Sequence, residues 1–480
     1  MRTIAFAFKA SLVCAVLFFS VEIQGKVPKR PKTDNVNKIT PAALMLSDYV
    51  SIPSVSGNEN EAAYFIAAEC RKAGLIVNYI NDEPGSVNFS ASLYPLSSKK
   101  PNIIFHNHID VVCAGDTSMW TYPPYSGTIA DGKVWGRGSF DNKGLGVIQL
   151  FTLKNFVDQA YEKDLPYNVT IIFVSGEETG GVTGSKIVAE NFVEEFTPVV
   201  VVGEGGSGIE NTSITGGDSP LFGISIIEKV TLWLKLTWRT DIAGHASIVD
   251  DDYALILLIN GLYNLINTPM PIILTDEARL MFTHLGNEIG GVKGRVTSRP
   301  DSRLFQSFLR NAIKDEPEIR DMVTNKITLT GIGANSTFLN QNSNIEEAYF
   351  DCRLLPGTTE KDIVDYIVSK INDTVVSIEV LHSGAFSRST TPEKHFDVLS
   401  RVIKEEFEGA KVVPMLFPAS TDNNYYRAHG IPVYGFNPMI VSSDQLKAIH
   451  SYDEYITLEN INRGIRVFTN FIDEIIKGNN

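Results

Sequence analysis

A chain of 480 residues is longer than one hydrophobic core usually supports, so two or more packed regions are expected. With 43% hydrophobic and 20% charged residues it sits near globular averages, which excludes collagenous, low-complexity and disordered classes. Its 42 Lys and Arg against 56 Asp and Glu leave a net charge of -14, which repels polyphosphate and argues against nucleic acid or an anionic membrane as a partner.

At the N-terminus, Arg2 and Lys9 lead into an apolar run from Ala10 to Phe19 and a short polar exit from Ser20 to Gly25. That is the pattern of a cleavable signal peptide over residues 1–25. The run is too short to span a bilayer, and no other stretch reaches about 18 apolar residues, so the expected product is secreted or periplasmic with no stable membrane anchor. Cys14 follows Val13 where a lipoprotein signal wants a small residue, which argues against a lipid anchor. Cys70, Cys113 and Cys352 are too few and too far apart for a disulfide framework or a zinc knuckle and read as buried thiols.

From Pro41 the segment PAALMLSDYV has a helical pattern, SIPSVSGNE is a turn-rich break, and NEAAYFIAAECRKAG is an amphipathic helix closed by Gly74. Strand candidates LIVNYI, NFSASLY, NIIFHNHIDVV, NVTIIFVS and VVVV then alternate with helical stretches such as GLGVIQLFTLKNFV and SKIVAENFVEEF. Continuous apolar strands alternating with helices predict a three-layer α/β domain with a largely parallel sheet, running over 26–228. A second block, 229–386, reads as VTLWLKLTW (strand), SIVDDDYALILLINGLYNLI (helix), KITLTGIGA and NIEEAYFDCRLL (strands), TTEKDIVDYIVSKI (helix) and VVSIEVLH (strand). That βαββαβ order is a small ferredoxin-like unit inserted into the larger domain, which resumes over 387–480 with HFDVLSRVIKEEF, VPMLF, IPVYGF and a last helix from Leu458 to Ile476.

Side chains alternate along a strand, so His108 and Asp110 emerge on one face near the carboxyl end of NIIFHNHIDVV, while His106, deeper in the strand, reads as structural. GRGSFDNKG puts Asp141 in a glycine-rich turn before a helix, SGEETGG ends a strand with Glu177 and Glu178 side by side, and VVGEGG ends the next with Glu204. Each acid follows a strongly apolar strand, and sites in such sheets lie at the strands' carboxyl ends, so these groups should converge.

Those motifs, together with SIPSVSGNE, the Trp120 to Gly127 run, GHAS, FDCRLLPG and AIHSYDEYI, resemble in order and spacing the zinc metallopeptidase superfamily of aminoacylase-1-like enzymes, carboxypeptidase G, carboxypeptidase S and succinyl-diaminopimelate desuccinylase. The likeness runs from about residue 41 to the C-terminus. It implies two zinc ions, replaceable by cobalt or manganese, with His108, Asp141 and Glu204 at one and Asp141, Glu178 and His450 at the other. It also implies that Asp110 orients His108 by accepting its other ring N–H and that Glu177 is the general base. The inserted unit becomes a lid or dimerisation domain, and a homodimer is expected. His245 of GHAS would stabilise the oxyanion, across the dimer or after closure over its own site. Arg353 and Asn335 would meet the substrate's carboxylate and carbonyl region. The implied substrate is a small peptide or an N-acyl amino acid, cut at an amide bond beside a free carboxylate.

Cys113 stands where relatives usually carry Pro, and Asn142 where Met is common, which leaves the subfamily open. A barrel-type amidohydrolase shares the His-x-His spacing of residues 106–108 but needs eight βα units and later metal histidines, against only 8 His here. A non-catalytic binding protein on the same scaffold would have no use for the proton shuttle at Glu177.

Overall fold

Alternation within the apolar strands decides the architecture. In the strand Asn102–His108, Ile103 and Phe105 enter one core while Ile104 enters another; Val169, Ile171 and Phe173 part in the same way from Ile172 and Val174, and Val200 and Val202 from Val201. A sheet apolar on both faces must be covered on both, and helices do so. Helices Pro41–Val50, Asn60–Lys72, Lys143–Lys154, Lys394–Glu406 and Leu458–Lys477 pack on one face through residues such as Leu46, Ile66, Leu145, Leu399 and Phe468. Ser185–Asn191 and Asn423–Ala428 cover the other with Val188, Ala189 and Tyr426.

The computed structural model describes residues 37–480 apart from 211–218, 249–250, 335–339, 372, 374, 385 and 479–480. The expected signal peptide at 1–25 and Asn335 therefore lie outside the described residues. No helix among the described residues is long and apolar enough to cross a membrane.

The large sheet has eight strands in the order Ile76–Glu83, Ser86–Ser92, Asn168–Val174, Asn102–His108, Pro198–Ile209, Val433–Val441, Leu221–Glu228 and Lys411–Phe417. Pairing is parallel from Asn168–Val174 through Val433–Val441 and again between the last two strands, and antiparallel elsewhere. The three-layer, largely parallel expectation holds.

A second sheet of four antiparallel strands runs in the order Lys326–Ala334, Ile345–Leu354, Val230–Arg239 and Val376–Ser383. Helices Ala254–Ile266 and Glu360–Ile371 cover one face, where Leu232, Leu234, Phe350 and Cys352 meet Leu258 and Ile367. The ferredoxin-like βαββαβ unit is thus present, with Thr231, Trp233, Asp351 and Arg353 on the face opposite these helices.

Two features went unread in the sequence. The strand Leu221–Glu228 is broken in pattern by Gly223 and Ser225; a Cβ at Gly223 would lie 2.6 Å from the Met415 sulfur of the neighbouring strand, so the glycine is a packing requirement rather than a turn signal. Between Ala254–Ile266 and Lys326–Ala334 run four further helices, Asp276–Ile289, Gly291–Thr297, Arg303–Asp315 and Pro317–Val323. Met281, Phe282, Phe305 and Leu309 bury themselves with Val413 and against Leu221 and Met415, so this segment packs on the edge of the large sheet. Thr275 and Ser302 accept the amides of Ala278 and Phe305 at 3.2 Å, N-cap signals that were available.

Cys70 and Cys352 are buried free thiols as expected, but Cys113 is exposed, since it lies past the strand end in a loop rather than on a packed face. Asn88 and Asn168, each opening an Asn-x-Ser/Thr triplet, fall on interior strands with buried, hydrogen-bonded side chains, so a glycan on either is incompatible with this fold.

The chain leaves the large sheet for the small one at Glu228–Lys229–Val230, and its first two residues there are buried. The Glu228 carboxylate accepts from Thr421 N at 2.8 Å, Thr421 Oγ1 at 2.9 Å, Asn423 Nδ2 at 3.0 Å and Arg427 Nη1 at 3.0 Å. Removing one member of a fully buried pair leaves an uncompensated charge. Arg427→Met should lower unfolding free energy by about 3–5 kcal/mol in urea titrations, with the Glu228→Gln/Arg427→Met double variant recovering part of the loss. Additive losses in the double variant would contradict a coupled pair.

Candidate metal centre

Five sequence segments deliver their acids and imidazoles to one point. His108 closes its strand, and parallel pairing aligns it with Val174, one residue before the turn that carries Glu177 and Glu178. Asp141 precedes the helix Lys143–Lys154. Glu204 lies on the strand Pro198–Ile209, and His450 follows the short helix Ser443–Ala448.

The donor atoms of His108, Asp141 and Glu204 lie within 4.8 Å of one another, as do those of Asp141, Glu178 and His450. Asp141 splits its two oxygens between the sets: Oδ1 is 3.1 Å from His108 Nε2, and Oδ2 is 3.2 Å from His450 Nε2. Glu204 stands 3.6 Å from His108 Nε2, and Glu178 3.1 Å from His450 Nε2. The structure brings His108, Asp141, Glu178, Glu204 and His450 together, with Glu177 close enough to form a third cluster with His108 and Glu178.

Asp110 sits behind His108. The His108 Nδ1 atom is 2.9 Å from the backbone carbonyl of Asp110 and 3.5 Å from its carboxylate, so both oxygens face that ring nitrogen and the carbonyl is the nearer. The carboxylate accepts the amides of Glu177 and Glu178, both at 3.1 Å, and the Ser56 hydroxyl at 2.7 Å. It thereby ties the strand bearing His108 to the turn bearing the two glutamates.

Glu454 does the same for the other half. Its Oε1 accepts the amides of Phe140 and Asp141 at 2.9 and 3.0 Å, and its Oε2 pairs with buried Arg137 at 2.6 Å. Arg137 also reaches the carbonyl of Ser451, beside His450, at 2.7 Å. The His450 backbone has a φ of 59°, uncommon for a residue with a side chain. The sequence motif flagged Glu454 without suggesting this role. Asn423 and Asp422 were missed altogether. Asn423 donates to the Glu204 carbonyl at 2.7 Å, and a Cβ at Gly203 would come within 2.1 Å of its side-chain oxygen, which explains one glycine beside Glu204. Asp422 accepts from Ser185 at 2.8 Å, and Ser185 in turn lies 2.6 Å from His106, which confirms His106 as a packed, hydrogen-bonded residue.

Crowding sets the protonation. Burial opposes charge on both His108 and Asp141, yet Glu204 and the other carboxylates around it hold the imidazole well above its usual range, while His108 and His450 hold Asp141 below its own. Hydrogen bonds to Asp141 and Glu178 lift His450 to about 10. Burial pushes Glu204 up to about 7, and burial followed by repulsion from Glu204 raises Glu177 well above the ordinary carboxylate range. Among the described residues no Lys or Arg pairs with Asp141, Glu177, Glu178 or Glu204, and Glu178 Oε1 is buried without a hydrogen-bond partner. An orphaned oxygen, a split carboxylate and mixed N/O donors fit a pair of divalent cations.

A cavity of about 650 Å³ opens beside the cluster. Asp141, Glu177, Glu178, Glu204 and His450 form one wall, and Thr231, Trp233, Asp351, Arg353 and His382 of the small sheet another. Arg353 therefore reaches the site. His245 does not: it is exposed, hydrogen-bonds Ser247 at 2.7 Å and is absent from the cavity wall.

The family model described as Peptidase family M20/M25/M40 matches residues 104–474. A probable carboxypeptidase S-like 2 of Dictyostelium discoideum is 28% identical over 369 residues, 76% of this chain and 69% of its own length. An N-fatty-acyl-amino acid synthase/hydrolase of Danio rerio is 23% identical over 364 residues, 74% of this chain and 68% of its own. Among solved structures, an M20 family metallo-carboxypeptidase from Sulfolobus solfataricus superposes with a TM-score of 0.65 at 16% identity, covering 90% of this chain and 99% of the other, a likeness of fold.

Cation binding to such a cluster must displace protons and stabilise the folded chain. Adding Zn²⁺ at pH 7 should release protons and, at about a thousandfold excess over Kd, stabilise by roughly 4 kcal/mol. Asp141→Ala should lose most of that gain in thermal-melting experiments. Equal stabilisation of both proteins would show that the cation binds elsewhere.

Proposed function

The chain belongs to Peptidase family M20/M25/M40, and on that premise we propose a two-zinc amidohydrolase that cuts an amide bond beside a free carboxylate, releasing an amino acid from a short peptide or an N-acyl amino acid. The observation that carries the reading is the division of the Asp141 carboxylate between two imidazoles, each backed by a further glutamate. His108, Asp141 and Glu204 would hold one ion, and Asp141, Glu178 and His450 the other. Bound there, the pair supplies Lewis acidity and a water whose pKa falls from 15.7 toward about 7.

The chain's own groups do the rest. Glu177 shares a turn with Glu178 and stands beside the ligand cluster, with His108 and Glu178 as its neighbours, where a carboxylate can exchange protons with the attacking water. It takes the proton of the attacking water and delivers one to the leaving nitrogen, without which an amine departs poorly. Asp110, through the Glu177 and Glu178 amides, fixes that base against the ligands. Arg353, in the opposite wall, receives the substrate carboxylate, and Asn335 meets the carbonyl region. The names of the two curated relatives, a probable carboxypeptidase S-like protein and an N-fatty-acyl-amino acid synthase/hydrolase, describe the same kind of bond, which supports the bond class; only the second names an acyl group, a fatty one.

His245 is assigned to the oxyanion, of a neighbouring subunit across a dimer formed through the small domain or of its own site after that domain closes; its exposure leaves it free for either. Localisation outside the cell or in the periplasm rests on the N-terminal sequence pattern alone.

Incubating zinc-loaded protein with N-acyl amino acids, dipeptides and N-blocked peptides should release free amino acid. Glu177→Gln should lower kcat by about 100- to 10,000-fold with little change in KM; undiminished turnover would remove Glu177 as the base. His245→Ala should lose about 100-fold or more. Mixing it with the Glu177→Gln protein should restore activity if His245 acts in trans, because one hybrid site then has both groups. A fully active monomer by light scattering would eliminate the trans role.

A further inference from the structure

His450 stands on a strap of chain between the helix Ser443–Ala448 and the strand Tyr455–Thr457, and two residues of that strap, His450 and Asp453, hold φ values of 59° and 58°. Residues with a side chain disfavour this left-handed region, so the conformation persists where the surroundings enforce it. The enforcement comes from a loop far back in the chain, residues 114–121. The Asp453 carboxylate accepts the Thr121 amide at 2.7 Å and the Thr121 hydroxyl at 2.8 Å. Beside it the Tyr452 ring meets Trp120 edge to face with centroids 6.4 Å apart, and Trp120 is itself fixed by a hydrogen bond from Nε1 to the Ala114 carbonyl at 2.9 Å.

The two imidazoles of the site are held in different ways. His108 is buried, and its Nδ1 faces oxygens of Asp110 at 2.9 and 3.5 Å, so that ring is oriented from behind. The His450 side chain is 51% exposed, and among the described residues its ring contacts are those of Nε2 with Asp141 and Glu178. Its direction is therefore set by the backbone beneath it. We infer that Asp453 and Thr121 are positioning residues that clamp the His450 strap and so set the affinity of one zinc ion of the two, the one beside His450 and Glu178, while leaving the other alone. The inference rests on the two-zinc reading of the site.

Other holds on the strap serve both ions at once. Glu454 also accepts the Phe140 and Asp141 amides, and Arg137 pairs with Glu454. Among the described residues neither Asp453 nor Thr121 bonds Asp141, and neither lines the cavity, so loosening them frees the His450 strap and leaves His108, Asp141 and Glu204 in place. A loosened ligand must be ordered when the ion binds, and that cost appears as lost affinity. Asp453 is half-buried and Thr121 exposed, so substitution strands no deeply buried charge.

Zinc titrations against a competing chelator read the two ions separately and without turnover. The unsubstituted protein should take up two equivalents. Asp453→Ala should weaken one of them by about 10- to 100-fold and leave the other within about twofold. Thr121→Val should act on the same equivalent to a smaller extent, and it carries the test alone should Asp453→Ala fail to fold. Asp453→Asn, which keeps an oxygen for the Thr121 amide, should recover part of the loss. His450→Ala identifies the equivalent concerned, and adding Asp453→Ala to it should cost no further affinity. Equal weakening of both ions would mark a structural role and overturn the inference, as would unchanged affinities in Asp453→Ala with only a lower melting temperature of the metal-free protein. Fewer than two equivalents before substitution would remove the two-zinc reading and the clamp together, whereas two equivalents indifferent to Asp453→Ala would remove the clamp alone.

Discussion

Partly buried carboxylates crowded around two imidazoles, with no Lys or Arg paired to them among the described residues, form the constraint on which the molecule turns. Like charges this close and this dry cannot all ionise unaided, which is why burial and repulsion raise Glu177, Glu178 and Glu204. Such an arrangement is costly to a fold and persists where a cation repays it. The parallel sheet is what makes the crowding possible, since it ends several apolar strands at one edge and lets each loop carry its acid inward.

Around that cluster lies a scaffold of backbone contacts rather than further charge. Asp110 accepts the amides of the Glu177–Glu178 turn, Glu454 those of Phe140 and Asp141, and Asn423 donates to the Glu204 carbonyl. Each holds the main chain beside a site residue, so the donors are oriented before any ligand arrives. Glu228 extends the same logic to the crossover between the sheets, because its carboxylate accepts from Thr421, which lines the cavity, and from buried Asn423. The small sheet then supplies the cavity's opposite wall from its uncovered face.

How much could be read in the sequence follows from the range of each signal. The alternation of NIIFHNHIDVV and NVTIIFVS, the Gly74 helix end and the strands KITLTGIGA and NIEEAYFDCRLL are local, and they are found where read, with Asn102–His108, Asn168–Val174, Lys326–Ala334 and Ile345–Leu354 as the observed strands. Glu177, Glu178 and Glu204 were legible because each follows a strongly apolar strand, and Asp141 because it sits in a glycine-rich turn before a helix. The strand Leu221–Glu228 was hidden because Gly223 answers a contact with Met415 far along the chain. The helices between residues 276 and 323 were passed over because their partner, the strand Lys411–Phe417, lies about a hundred residues on, and a surface-edge helix carries only a narrow apolar stripe. The backbone role of Asp110 and the link from Glu454 to Asp141 are three-dimensional facts that motif spacing does not encode. The clamp from Asp453 to Thr121 escaped notice for a related reason: the two stand in different motifs 332 residues apart, and they meet only once the chain is folded.

The central claim is that Asp141 is shared between two metal ions. Anomalous diffraction from crystals of the zinc-loaded protein, collected on either side of the zinc absorption edge, tests it most directly. Two peaks about 3.5–4 Å apart, one beside His108 and Glu204 and the other beside His450 and Glu178 with Asp141 between them, are the expected result. A single peak, or peaks away from Asp141, would contradict the account.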